Sequence, residues 1–416
     1  MKATGPIPAG FRAIDGELAI GGVRASELVA RVGDTPLFVY DLGRVRAQVA
    51  RLRSALPAGV AVHYAIKANP FAPLVAAMAA LVDGFDVASA GELAIVQGAG
   101  VAADRISFAG PGKRDDELAA AIAAGITLNL ESEGEADRAL RIAERTGATP
   151  RLAVRVNPAF ELRGSGMRMG GRATPFGLDE DRVPALVRRL IATGAEWRGF
   201  HIFAGSQALD AAAIVATQAE SLALAARLAE TAGASPPLVN LGGGFGIPYF
   251  AGDAPLDVEA IGAGLADALA RRAAALADAE FAIELGRWLV GEAGVYLTRI
   301  IDRKESQGRI FLIVDGGMHH QLAASGNLGA AVRRNYPVAI ASRFDAFQED
   351  VVNIVGCLCT PLDRLADDVM LPRAEIGDLV AVLLAGAYGL TASPSAFLGH
   401  RLPRELLVNG LAESIS

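Results

Sequence analysis

Cysteine is nearly absent: the chain has only Cys357 and Cys359, too few for a disulfide framework. Two residues apart in extended backbone, they point the same way, and bridging them would strain the chain. They are therefore expected as thiols in a reducing compartment. Cys-x-Cys can begin a metal site, yet no further Cys or evident His set completes four ligands, so no metal is expected. No apolar run reaches the length of a membrane span; the longest, such as Leu379 to Leu390, fall short. The opening residues, MKATGPIPAGF, have one Lys, two Pro and no apolar signal core, which fits a cytoplasmic protein. Basic clusters are missing as well. The formal charge is −7 with the two signs interspersed, so a nucleic-acid partner is not expected.

What is present is apolar: 52 % hydrophobic residues against 20 % charged, over 416 residues. That suffices for a sizeable core and is too long for one ordinary domain. Eight short β-rich runs alternate with Ala/Leu-rich helical stretches: 61–66, 85–89, 106–110, 126–130, 152–157, 198–203, 237–241 and 281–285. The helical stretches include Pro73–Leu81, Gly91–Gly98, Asp115–Ala124, Glu133–Thr146, Asp210–Ala232 and Asp257–Ala277. Strands apolar on both faces and alternating with helices predict a parallel sheet, and eight units predict an α/β fold closed as a (β/α)8 barrel. A doubly wound open sheet is the competing architecture. Outside 43–290 the alternation stops. Residues 1–42 read as a hairpin-like stretch, a helix and PLFVY, and 291–416 read as strands and turns. A C-terminal β domain completed by the N-terminal segment follows.

Functional groups of barrels gather where strands end. The first run ends at Lys67, the sixth near Ser206, the seventh in LGGGFG (241–246) and the eighth at Glu284 and Arg287. A lone lysine there reads first as a solvated surface group, and second as an imine-forming amine. Three glycines form a tight turn or a phosphate cradle, and loops after the seventh and eighth strands favour the cradle. Glu284 pairs with Arg287 three residues on, or with a protonated pyridine nitrogen. Together the three fit a phosphorylated aldehyde cofactor.

These segments resemble the fold-type III pyridoxal-phosphate decarboxylases, the family of diaminopimelate and eukaryotic-type ornithine decarboxylases. The resemblance runs through TPLFVYD (35–41), YAIKAN (64–69), DVASAGEL (86–93), RVNP (155–158), LGGGFG, ELGR (284–287) and GCLCTPLD (356–363), in the family's order. It implies pyridoxal 5'-phosphate held as a Schiff base by Lys67. Arg155, Phe203, Ser206, Gly242, Gly243, Gly244, Gly286, Arg287 and Tyr388 would join it around the cofactor, with Glu284 on the pyridine nitrogen. It further implies Cys359 as the acid that reprotonates the substrate carbon across a homodimer interface. Arg287, His319, Thr360 and Asp363 are then candidate substrate contacts.

Departures from the family bear on substrate. Phe203 replaces a usual ring-stacking His, and Leu285 a usual Pro. Diaminopimelate enzymes usually grip the distal end of their substrate with Arg, Tyr and Glu, where this chain has Ala323, Asn327 and Thr360. GPGKRDDEL (110–118), FHIFAGSQ (200–207) and VDGGMHHQLAASGN (314–327) look closer to a branch with exosortase-associated decarboxylases and the butirosin-pathway enzyme that acts on glutamate carried by an acyl carrier protein. The expected reaction is decarboxylation of a conjugated or carrier-tethered amino acid, with an acyl carrier protein as partner. Lysine-biosynthetic diaminopimelate decarboxylation, racemisation on the same fold and a catalytically dead homologue are the alternatives. His319 and His320, read as strand neighbours, are expected to face opposite ways, in substrate or interface roles. Cys357 has packing as its default, and His63 and His400 are read as structural.

Overall fold

The computed structural model describes every residue except 165, 169, 327–332, 410–413 and 416. The chain forms two compact units: Gln48–Ile247 with Pro255–Gly286, and Met1–Ala47 with Pro248–Ala254 and Arg287–Ser416.

The first unit is a closed parallel barrel. Its strands are Val60–Ala65, Gly84–Val87, Ile106–Phe108, Thr127–Leu130, Arg151–Asn157, Glu196–Ile202, Leu238–Gly243 and Glu280–Leu285. Each pairs in parallel with the next, and the eighth closes on the first, Phe281 opposite Val60 and Leu285 opposite Tyr64. The open-sheet alternative is thereby excluded. Buried Val, Leu, Ile and Phe fill these strands on both faces, which a barrel wrapped by helices requires. Helix ends follow local chemistry. Ser89 and Ser132 accept the N–H of Glu92 and Glu135 as N-caps, and Gly125 and Gly147 end two helices in left-handed backbone. The helix Val183–Ala192, between the fifth and sixth strands, is not among the segments the apolar pattern marks.

The second unit is a mixed β sheet. Its central strand, Gly294–Ser306, pairs with Leu37–Asp41, Arg309–Val314 and Leu379–Leu383. The apolar run PLFVY is thus a sheet strand between Gly294–Ser306 and Arg404–Val408. Alternate residues Leu37/Val39, Val295/Leu297 and Leu379/Ala381/Leu383 face one core, as the period of two dictates. Two sequence expectations change here. The strand before the cysteines, Gln348–Val355, stops short of Cys357, and Arg309–Val314 stops short of the histidines. Both pairs lie in turns. The rings of His319 and His320 are neighbours with centroids 3.7 Å apart rather than on opposite faces.

Candidate active site

The first barrel strand ends at Ala65 and passes into a short 3-10 turn, Ile66–Ala68, that carries Lys67. Asn69 fixes the exit from this turn: Tyr64 donates its hydroxyl to the Asn69 carbonyl at 2.8 Å, and Asn69 Oδ1 accepts from Phe71 N–H at 3.1 Å. A side chain at Gly286 would strike Ala68, so glycine at the end of the eighth strand lets the lysine turn pass.

Glu284 is 5 % exposed, with Oε1 3.6 Å from Lys67 Nζ. Its Oε2 accepts from His201 Nε2 at 2.9 Å, which places the ring proton on Nε2. Burial pushes the Glu284 pKa up, but Lys67, the His201 hydrogen bond and Arg155 outweigh it and hold the carboxyl well below the usual carboxylate range. Lys67 Nζ also lies 5.6 Å from the centre of the Phe203 ring. Lys67, Asp86, Arg155, His201, Phe203 and Glu284 line a cleft of about 420 Å³.

Asp86 is the penultimate residue of the second strand, Gly84–Val87. It accepts the Ser107 hydroxyl and stands 3.3 Å from His63 Nδ1. Burial opposes charge on His63, yet Asp86 prevails and raises its pKa. Arg155 is bound to Glu131 at 2.9 Å, with Phe176 against its guanidinium. Glu131 also accepts the N–H groups of Gly110 and Gly177. Beside it Lys113, 3 % exposed, donates to Gly110 O, Asn129 O and Glu135.

Gly242 and Gly244 have φ of +67° and +80°, left-handed backbone that favours glycine. A Cβ on Gly243 would collide with the Glu284 carbonyl. The Gly242 N–H is turned to Asn240 Oδ1 at 2.9 Å. Ser206 is half-buried in a two-residue strand, Gly205–Ser206, paired with Met167–Arg168.

In the β unit, Arg287 donates to the Tyr249 hydroxyl at 2.9 Å, and its guanidinium lies 4.5 Å from the centre of the Tyr388 ring. Tyr336 packs on Tyr249 at 4.7 Å. Cys359 is exposed and Thr360 half-buried. Asp363, expected to meet substrate, is 2 % exposed, and its two oxygens accept the N–H groups of Met318 and Leu358 at 2.7 and 2.8 Å. It braces two turns. His319 is fully buried, and neither ring nitrogen has a hydrogen-bond partner among the described residues. Ala323 lies in the short 3-10 turn Leu322–Ser325, while Asn327 is outside the described residues.

The family model for the pyridoxal binding domain of pyridoxal-dependent decarboxylases matches residues 42–291. The chain is a pyridoxal-dependent decarboxylase. It is 39 % identical to the L-glutamyl-[BtrI acyl-carrier protein] decarboxylase of Niallia circulans, over 92 % of this chain and 91 % of that one. It is 32 % identical to the diaminopimelate decarboxylase of Archaeoglobus fulgidus, over 96 % and 94 %. The M. jannaschii diaminopimelate decarboxylase solved with L-lysine superposes with a TM-score of 0.88 at 26 % identity, over 98 % of this chain and 94 % of that one.

The cleft of this decarboxylase fits pyridoxal phosphate by the chemistry of its donors. It offers an amine for an aldehyde, a buried carboxylate kept ionised, and an aromatic face beside both. The same geometry sets Lys113 aside as the reacting amine, because it is buried and holds three acceptors. Asp86, Glu131, Tyr249 and Tyr336 escape sequence reasoning. Asp86, one residue before a strand end and within DVASAGEL, is the one with a visible signal.

Proposed function

We propose that this pyridoxal-dependent decarboxylase removes the α-carboxylate of an amino acid presented as a conjugate or on an acyl carrier protein. The observation that carries this reading is the pair of small groups, Ala323 and Thr360, at places where the family resemblance implies Arg and Glu in diaminopimelate enzymes. The identity to a decarboxylase named for a carrier-bound glutamyl substrate supports it. A site without charged partners returns nothing for desolvating a distal ammonium or carboxylate, a cost of several kcal/mol per ion. A neutral tether carries no such cost.

The bound cofactor supplies the electron sink for the carbanion left when CO2 departs. Lys67 presents the amine that anchors the carbonyl. Glu284, ionised and fixed by His201, holds a proton on a ring nitrogen brought against it, and Phe203 offers its face to the ring. Ser206 and Gly242–Gly244 are assigned to phosphate. Cys359 delivers the proton to the substrate carbon. It is exposed, and Leu362 beside it is 54 % exposed, which suits a group serving the site of a second chain in a homodimer.

The test compares CO2 release from free meso-diaminopimelate, lysine, ornithine and glutamate with amide- or thioester-linked glutamate. The linked substrate is expected to have the highest kcat/KM; a best value for free meso-diaminopimelate would sink the reading. For the shared site, Lys67→Ala and Cys359→Ala proteins, each inactive alone, should regain activity on mixing. Two folded, exchanging dimers that stay inactive together would remove Cys359 from the partner's site.

A further inference from the structure

The β unit contains a second cluster of chemistry that decarboxylation does not use. His319 follows the strand Arg309–Val314, Cys357 follows Gln348–Val355, and His400 precedes Arg404–Val408. One ligand atom from each lies within 4.8 Å of the other two. Cys357 Sγ is 3.7 Å from His400 Nδ1 and 4.0 Å from its Nε2. The His319 and His400 rings are 5.1 Å apart between centroids.

His319 is the decisive member. A fully buried imidazole with neither nitrogen hydrogen-bonded among the described residues is costly unless something completes it. Its surroundings are organised to present it. Asp363 accepts the N–H of Met318, next to His319, and that of Leu358, next to Cys357, and so clamps two ligand-bearing turns together. Side chains at Gly317 or Gly356 would strike that carboxylate. His320 has both nitrogens occupied, Nδ1 by the Tyr296 hydroxyl and Nε2 by the carbonyl of Arg401, each at 3.0 Å. It thereby holds the third ligand's segment. These contacts hold together the backbone of the turns that carry the three side chains.

We propose that His319, Cys357 and His400 bind a zinc-class divalent ion. One thiolate and two imidazoles suit a borderline-soft metal, and three protein ligands leave one position open. Bonds of about 2.3 Å to sulfur and about 2.0–2.1 Å to nitrogen put ligand atoms about 3.3–3.6 Å apart in a tetrahedron, so the cluster closes with movements of about 1 Å. His400 faces solvent and gives the ion its approach. The Cys357 thiol gives up its proton to bind the ion as a thiolate. The sequence expectation of no metal rested on the missing partners of Cys-x-Cys; the fold supplies them from residues 38 and 43 positions away. An ion here ties down the turn that carries Cys359.

The test uses the cofactor-loaded protein, stripped with a chelator and titrated with Zn2+, with Co2+ as the spectroscopic probe. We expect one equivalent per chain by plasma mass spectrometry after gel filtration, and one sulfur with two imidazoles around Co2+ by X-ray absorption. Cys357→Ser and His400→Ala should each weaken binding by about 100-fold or more, beyond the 10–100-fold that outer partners cost. Cys359→Ser should keep the full equivalent. Because His400 is at the surface, its variant separates ligand loss from misfolding, checked by circular dichroism and retained cofactor. Folded wild-type protein that takes up neither ion at micromolar concentration overturns the site. So does loss of binding in Cys359→Ser with retention in Cys357→Ser.

Discussion

Lys67 and Lys113 both face the same cleft, yet the two regions treat an ammonium in opposite ways. Lys113 is enclosed and hydrogen-bonded at 2.7, 2.9 and 2.6 Å, with its carboxylate partner Glu135 only 2 % exposed. Lys67 has a side chain 49 % exposed and its carboxylate at the looser distance of 3.6 Å. A fully saturated ammonium is a structural tie, because releasing it leaves buried charges unpaired. A half-exposed amine beside a carboxylate held by another residue can leave its position and react. His201 makes the difference: by fixing Glu284 itself, it keeps the carboxylate from depending on Lys67 for order.

The largest expected effect comes from breaking this contrast. Lys67→Ala should lower turnover by about 10⁴-fold or more, the scale seen when a covalent catalytic group is removed. It should also abolish borohydride fixation of the cofactor to the peptide containing residue 67, and lower the thermal midpoint less than Lys113→Ala does, because His201 and Arg155 still hold Glu284. Lys113→Ala should do the reverse, costing about 3–5 kcal/mol of stability by leaving Glu135 and Glu131 without their cation. Borohydride labelling at Lys67 should survive wherever that variant folds. Labelling that moves to Lys113, or a Lys113 variant as stable as the parent, would show that the two roles are misassigned.

The two lysines also measure how legible the sequence was. Lys67 could be read because the strand period places it where barrel chemistry gathers, and because four lysines in the chain leave few rivals. Lys113 could not. GPGKRDDEL carries only a likeness to a decarboxylase branch, and the acceptors of Lys113 are carbonyls of Gly110 and Asn129 and a carboxylate 22 residues away, which only the closed barrel brings together. The eight strands were legible for the same local reason as Lys67. The turns holding His319, Cys357 and Asp363 were not, since strand ends set by Asp363's bonds to Met318 and Leu358 carry no period. Pro248–Ala254 belongs to the β unit with no compositional mark at either end.

The smaller effect sharpens the comparison through pH. Glu284 near Lys67 and Glu131 near Lys113 both have pKa values below the carboxylate range, against burial that would raise them. For each, the unfolded chain binds the proton first as pH falls below about 4.3. Their stabilisation is therefore full above that pH and is lost progressively below it, as pH approaches the folded pKa. Glu135 differs: burial raises its folded pKa, so it favours the folded state at the lower pH and offsets part of Glu131's loss. The acid limb should thus be dominated by Glu284, at up to about 1.4 kcal/mol per pH unit for one proton. Glu284→Gln removes that titration, so its thermal midpoint should fall less steeply than the parent's between pH 5 and pH 3. Glu135→Gln, which removes the opposing titration, should make the limb steeper. Parallel limbs in parent and Glu284→Gln would mean that the carboxylate beside Lys67 is not held ionised by the fold, and the electrostatic half of the contrast between the two lysines would fail with it.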